Sequence, residues 1–244
     1  MIRGLQKLSL IDYPGKIACT VFLAGCNFRC PFCHNVDLVL KPEKLPKIEQ
    51  DEFFSFLEKR KDWLEAVCIT GGEPTIHSEL PEFVKKIKEK GFLVKLDTNG
   101  SNPSMLSLLL RENLLDYVAL DIKAPLDEKN YSKATGIEIS AEMLEKIKET
   151  ISLLEKSKIK HEFRITVVPT LHTEKELLKI AKQLNDYGIK KFTLQQFFNA
   201  TLNPNLTTID PSFNKINPYS KKELKKFKEL LKNYFKEIQI KNII

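Results

Sequence analysis

The chain has 244 residues, 42% of them hydrophobic and 29% charged, with 9 Gly and 12 Pro. That composition can fill a sizeable core; it excludes disorder, collagen-like repeats and a membrane channel, and no apolar run reaches the ~18 residues of a membrane span. The net charge is +7, of which residues 220–244, with eight Lys against three Glu, supply +5. A solvated lysine face on a C-terminal helix explains that excess, so nucleic-acid binding is not expected. The first residues show no long apolar stretch and no small-residue cleavage site, so a cytoplasmic protein without a membrane partner is expected.

Taken in chain order, β-branched and apolar runs alternate with amphipathic segments. A strand is predicted at Ile17–Ala24, followed by an irregular stretch over Leu38–Gln50 and a helix over Asp51–Trp63. Strand Ala66–Thr70 precedes helix Glu79–Lys90, and strand Leu93–Thr98 precedes helix Ser104–Asn113. Strand Tyr117–Lys123 leads to helix Ser140–Ser157, strand His161–Val168 to helix Glu174–Tyr187, and strand Lys191–Gln196 to a surface loop over Asn199–Tyr219. A helix over Lys221–Phe235 and a short strand over Glu237–Lys241 complete the pattern. Gly91, Asn113 and Gly188 stand where helices should stop. Trp63 is expected to pack a helix end into the core.

Six such units with near-continuous apolar strands indicate a parallel sheet covered by helices. Six are too few for a closed eight-fold barrel, and no G-x-G-x-x-G follows the first strand. The expected fold class is therefore α/β, a partial (β/α)6 barrel with outer helices. The expected organisation is one domain over 1–244, with 199–244 as a C-terminal loop and helix extension.

Three of the five cysteines lie in one passage, Gly25-Cys26-Asn27-Phe28-Arg29-Cys30-Pro31-Phe32-Cys33, directly after the first strand. That position is the carboxyl end of the sheet, where α/β folds place their sites. An odd number of cysteines in a cytoplasmic protein argues against disulfides. Two metal readings remain: zinc with His34 as fourth ligand, or a [4Fe–4S] cluster with one iron left open. Cys19 and Cys68 sit inside apolar strands and read as small hydrophobes.

The second strand ends in Thr70-Gly71-Gly72-Glu73-Pro74, where two glycines permit close backbone approach to a ligand. Together with C-x3-C-x2-C one strand earlier, this resembles the radical S-adenosylmethionine (SAM) superfamily. The resemblance implies that Cys26, Cys30 and Cys33 hold a [4Fe–4S] cluster whose fourth iron chelates SAM. It implies that Gly71, Gly72 and Glu73 meet the SAM amino group. Asp12-Tyr13-Pro14-Gly15, Cys33-His34-Asn35, Leu96-Asp97-Thr98-Asn99-Gly100 and Leu120-Asp121-Ile122-Lys123 further resemble the activating enzymes of glycyl radical enzymes. That likeness implies that Asp97, Thr98 and Asp121 lie near the SAM carboxylate and a monovalent cation. Lys123 would reach the same carboxylate, Arg164 would face into the barrel, and Phe32 and His34 would run along the adenine through their backbone.

The implied activity is one-electron cleavage of SAM to a 5′-deoxyadenosyl radical, which takes a hydrogen from a glycine of a partner enzyme. Anaerobic ribonucleoside-triphosphate reductase is the expected partner, and flavodoxin or ferredoxin the expected electron donor. A radical SAM enzyme acting on a small molecule, like the 7-carboxy-7-deazaguanine synthases, is the second reading; a zinc or nucleic-acid-binding module is the third. One departure is plain: where pyruvate formate-lyase activating enzyme has a SAM-contacting histidine, this chain reads Leu194-Gln195-Gln196-Phe197-Phe198. Either glutamine is a candidate substitute. No cysteine lies between Cys33 and Cys68, so no second cluster is expected. His77, His161 and His172 read as structural or exposed, and Asp12 as a peptide contact or an Asx turn before Pro14.

Overall fold

The computed structural model describes residues 1–199, 202–203 and 206–241. Its centre is one eight-stranded sheet in sequential order: β1 (Ile2–Ser9), β2 (Ala18–Leu23), β3 (Ala66–Gly71), β4 (Leu93–Thr98), β5 (Tyr117–Asp121), β6 (Lys160–Val167), β7 (Lys191–Gln196) and β8 (Glu237–Lys241). β1 runs antiparallel to β2 and every other neighbouring pair is parallel. The edges β1 and β8 do not pair, so the sheet curls without closing. The expected partial barrel is the fold found, and its six predicted strands are β2–β7.

The helices are α1 (Val36–Leu40), α2 (Gln50–Glu58), α3 (Leu80–Glu89), α4 (Pro103–Arg111), α5 (Glu128–Thr135), α6 (Ala141–Lys156), α7 (Glu174–Asp186) and α8 (Lys221–Leu231). Each long one has an apolar face buried on the sheet, such as Leu80, Phe83, Val84 and Ile87 of α3. Starts follow local chemistry: Ser140 caps α6, and Thr173/Glu176 and Ser220/Glu223 form capping boxes on α7 and α8. Asn113, Gly91 and Gly188 all adopt positive φ just past helix ends, as expected of stop residues. No helix among the described residues is long and apolar enough to cross a membrane.

Alternation along the strands separates two environments. Outward positions such as Cys19, Val21, Val94, Leu96 and Val118 join the main core under the helices. Inward positions are largely polar: Thr20, Lys95, Asp97, Asp121, Glu162, Arg164, Thr193 and Gln195. A small second cluster of Tyr13, Ala18, Ala66 and Cys68 closes the barrel at the amino ends of the strands.

Four expectations are corrected. β1 was not foreseen: its residues are exposed or half-exposed between Ile2 and Ser9, so an edge strand leaves no clean alternation. α1 and α5 were also missed; α5, Glu-Lys-Asn-Tyr-Ser-Lys-Ala-Thr, has no apolar stripe and depends on its Asp127 cap and its Gly136 C-terminus. Helix α2 stops at Glu58, leaving Trp63 73% exposed rather than packed in the core. The Asn199–Tyr219 segment is more than an outward loop. It contains a 3-10 turn at Pro211–Lys215, and its Ile209 and Asp210 amides donate to the carbonyls of Cys33 and Pro31.

Candidate active site

A cavity of about 540 Å³ opens at the carboxyl ends of the strands. The residues expected to hold the cluster and SAM all line it: Cys26, Cys30, Cys33, Phe32, His34, Gly71, Gly72, Glu73, Asp97, Thr98, Asp121, Lys123 and Arg164. Asp12, Asn35, Asn99, Thr166 and Gln195 complete the polar wall.

The cysteine loop is gripped from three sides. Arg29 N donates to Thr135 O at the end of α5 (2.8 Å), and the Ile209 and Asp210 amides hold the opposite flank (3.1 and 3.0 Å). His34 Nε2 meets Phe198 O at 2.9 Å, with its ring stacked on Phe197. Beneath it, Gly72 N donates to Leu23 O (2.9 Å) and Glu73 N to Gly25 O (2.8 Å). The two glycines were expected to admit a ligand; what they first admit is this loop's own root. A Cβ on Gly72 would lie 1.7 Å from Gly25 O, and one on Gly71 would lie 2.5 Å from Leu23 N and O.

Glu73 is almost fully buried. Its Oε1 accepts from Thr75 N, Thr75 Oγ1 and Thr98 Oγ1, and its Oε2 from Asn99 N at 2.7 Å. Burial raises its pKa while those donors oppose the rise. The carboxylate therefore ties the end of β3 to the end of β4. Asn99 Nδ2 continues the tie to Asn27 in the cysteine loop (2.9 Å), and Asn35 Nδ2 caps Gly71 O (2.6 Å).

Facing the loop is a chain of charges on three neighbouring strands. Arg164 on β6 bridges Asp121 Oδ1 through Nε (2.5 Å) and Asp97 Oδ2 through Nη2 (3.1 Å). Lys123 Nζ lies 3.3 Å from Asp121 Oδ2, and buried Lys95 pairs with Asp97 Oδ1 from below. Burial alone would raise both aspartate pKa values. Arg164 and Lys123 outweigh it at Asp121, and Arg164 and Lys95 at Asp97, so both stay ionised. Burial opposes the charge on Lys123, yet the Asp121 carboxylate beside it keeps it protonated. A monovalent cation at this point would have to share both carboxylates with Arg164.

Among the supporting residues, Lys95 and Tyr131 carry no sequence signal; Asn99 entered only within the Leu96–Gly100 motif, and His172 only as a structural or exposed histidine. Tyr131 Oη accepts from Lys123 N (3.2 Å) and His172 Nε2 donates to Lys123 O (2.8 Å), so two buried side chains fix the Lys123 backbone. His172 Nδ1 accepts from Val168 N, which sets that tautomer, and burial pushes its pKa down to about 4. His77 and His161 each bond one nearby carbonyl, as structural histidines do. Of the two glutamines, Gln195 faces the cavity, whereas Gln196 donates to Tyr219 O. The Asp12 turn is held by Ser9 Oγ, which accepts from Ile11 N and Asp12 N; the Asp12 carboxylate instead accepts from Thr20 Oγ1 at 2.6 Å.

None of the three cysteines is in a disulfide, and burial pushes Cys26 up to about 11 and Cys30 up to about 12. As free thiols they would be poor nucleophiles, and they need a cationic centre to become thiolates. Among the described residues no three His, Cys, Asp or Glu side chains converge on a single ion. Three thiols spread around one cavity instead suit a cluster in which each meets its own iron. Lys123 and Arg164 offer positive charge for a ligand carboxylate. The residues present fit a [4Fe–4S] cluster with SAM beside it.

Known proteins agree. Residues 20–184 match the radical SAM superfamily. A Methanocaldococcus jannaschii protein, provisionally named a glycyl-radical enzyme activating enzyme, is 34% identical over 100% of this chain and 96% of its own length. The pyruvate formate-lyase-activating enzyme of Clostridium pasteurianum is 27% identical over 95% of this chain and 96% of its own. In fold, a radical SAM methyltransferase from Sphaerobacter thermophilus superposes with TM-score 0.65 at 16% identity, covering 96% of this chain and 68% of that one. Streptococcus suis SuiB gives 0.66 at 16% identity over 91% of this chain, which spans about half (48%) of the SuiB chain. The cofactors are accordingly a [4Fe–4S] cluster and SAM, and the chain belongs to the radical SAM superfamily.

Proposed function

We propose that this enzyme activates a glycyl radical enzyme, anaerobic ribonucleoside-triphosphate reductase, by removing a hydrogen from one backbone glycine of that partner. The observation that carries the reading is the end-to-end similarity to a protein provisionally named a glycyl-radical enzyme activating enzyme, 100% of this chain against 96% of that one. When bound, the cluster and SAM supply a 5′-deoxyadenosyl radical by one-electron cleavage of a C–S bond. Flavodoxin or ferredoxin would deliver the electron in the cytoplasm. The reading treats 1–244 as one core, with 199–244 as its extension.

The side chains hold and orient. Cys26, Cys30 and Cys33 would ligate the cluster, and backbone carbonyls of the Gly71–Glu73 passage would accept from the SAM amino group. Lys123 and Arg164 receive its carboxylate, with Asp97, Thr98 and Asp121 setting their charge and aim. Phe32 and His34 would lie along the adenine through their backbone. With Asp121 ionised and Lys123 protonated by their mutual contact, these groups position a ligand and do not shuttle protons. Radical chemistry needs the target C–H at contact distance, so such positioning is the protein's main contribution.

The test is anaerobic reconstitution, reduction, and addition of SAM with the purified reductase. A glycyl-type EPR doublet on the reductase is expected. Conversion of a purine or pterin precursor, with no doublet on the reductase, would contradict the activase reading.

A further inference from the structure

We propose that the outer face of the Leu8–Ile17 segment, with Trp63, anchors the protein substrate by taking an acidic and apolar segment of it. This rests on the activase reading above. Leu8, Leu10, Ile11 and Trp63 are 58%, 68%, 81% and 73% exposed, an unusual concentration of large apolar side chains in water. Between Leu8, Leu10 and Trp63 runs a groove of about 350 Å³, lined also by Lys7, Ile17 and Arg60, and Ile11 stands exposed beside it.

The inner side of the same segment already accounts for its structural needs. Tyr13 is buried and packs against Tyr117 with ring centroids 5.8 Å apart, and Asp12 bonds Thr20 inside the barrel. Ser9 Oγ and the Lys16 N to Tyr13 O bond close the turn. The exposed side chains therefore stand on a braced frame, and folding gives no reason for them to be apolar. None of the residues lining the outer groove lines the cavity at the cysteine loop.

Register places the groove away from the chemistry. Ser9 pairs with Ala18 at the amino end of β2, whereas Ile2 pairs with Leu23 beside the cysteine loop. Six strand residues span roughly 20 Å. A partner held there leaves the cavity mouth free, and remote contacts can contribute binding energy that helps fix a reacting group elsewhere.

Charge selects the occupant. Lys7 and Arg60 line the groove, and neither has an ion pair with a described residue. A second copy would be disfavoured, because a twofold contact sets a patch against itself and would oppose these cations. A groove also receives inserted side chains, whereas lipid insertion calls for a protruding apolar wedge or helix face. An acidic partner segment with apolar side chains matches both the charge and the shape.

The experiment measures binding of the purified anaerobic ribonucleoside-triphosphate reductase to reconstituted protein, for wild type, Leu10→Asp with Trp63→Ser, and Lys7→Glu with Arg60→Glu. Both double variants should weaken binding by roughly tenfold or more, while partner-free 5′-deoxyadenosine formation stays at the wild-type rate. Added salt should weaken wild type more than the charge-reversed variant. If wild type raises the glycyl doublet and both variants bind as tightly, the surface assignment is wrong and the activase reading stands. If wild type neither binds nor activates the reductase, both fall. Binding to phosphatidylglycerol vesicles, or a wild-type dimer, that the variants lose while reductase binding persists would also overturn the assignment.

Discussion

Replacing Gly72 by alanine should loosen the cysteine loop from its seat and lower cluster occupancy. The added Cβ would lie 1.7 Å from Gly25 O and 2.5 Å from Gly25 C, backbone atoms with no rotamer to change. The end of β3 and the root of the loop must separate by roughly 1.5 Å or more to reach ordinary contact. The Gly72 N to Leu23 O and Glu73 N to Gly25 O bonds cross that seam at 2.9 and 2.8 Å and would not survive it. Two buried bonds broken with their partners left unsatisfied cost roughly 2–6 kcal/mol. For a chain of this size that lowers Tm by roughly 5–20 °C. Gly91→Ala is the control: Gly91 has φ +88 with nothing within 4 Å of a Cβ. It should cost about 1 kcal/mol in backbone strain and leave the iron in place. Iron and sulfide analysis beside thermal melts checks both. Full iron in Gly72→Ala, with a Tm like that of wild type, would refute the close approach.

Three further outcomes are expected. Serine at Cys26, Cys30 or Cys33 should abolish the iron chromophore, whereas Cys19→Ala and Cys68→Ala, both buried in strands, should keep it and lose about 1–2 kcal/mol of stability by urea unfolding. Alanine at Lys123 or Asp97 should weaken SAM binding roughly ten- to a hundredfold without loss of iron; isothermal titration reads the first and metal analysis the second. His172 should make stability fall as pH drops from 6.5 to about 4, because the unfolded chain binds the proton that the buried ring, at about 4, still refuses. The loss is about 3 kcal/mol at most; urea unfolding across that range should show a flatter profile for His172→Phe.

The chemistry was legible because it sits at strand ends. Cys26, Gly71, Asp97 and Asp121 each follow or close an apolar run, so chain direction alone puts them on one edge of a parallel sheet. The supporting residues were not. Lys95 looks like a charge interrupting a strand; alternation puts it on the same face as Asp97, but only the fold shows that this face is the inside of the barrel. His172 is a lone histidine in sequence; its role depends on a turn after β6 that brings it under Lys123. Trp63 misled because a single tryptophan near a helix end usually packs inward, and here α2 stops five residues earlier. Gly71 and Gly72 were read correctly as a close approach, but the first body approached is the chain itself.

The central claim is that three thiols hold a cluster whose remaining iron faces SAM in the cavity bounded by Lys123 and Arg164. Mössbauer spectroscopy of protein reconstituted with ⁵⁷Fe, before and after SAM, tests it most directly. One iron of the cluster should change its isomer shift on SAM addition, and the change should need a far higher SAM concentration in Lys123→Ala. A cluster whose irons all ignore SAM, or a protein that takes up zinc in place of iron, would contradict the account.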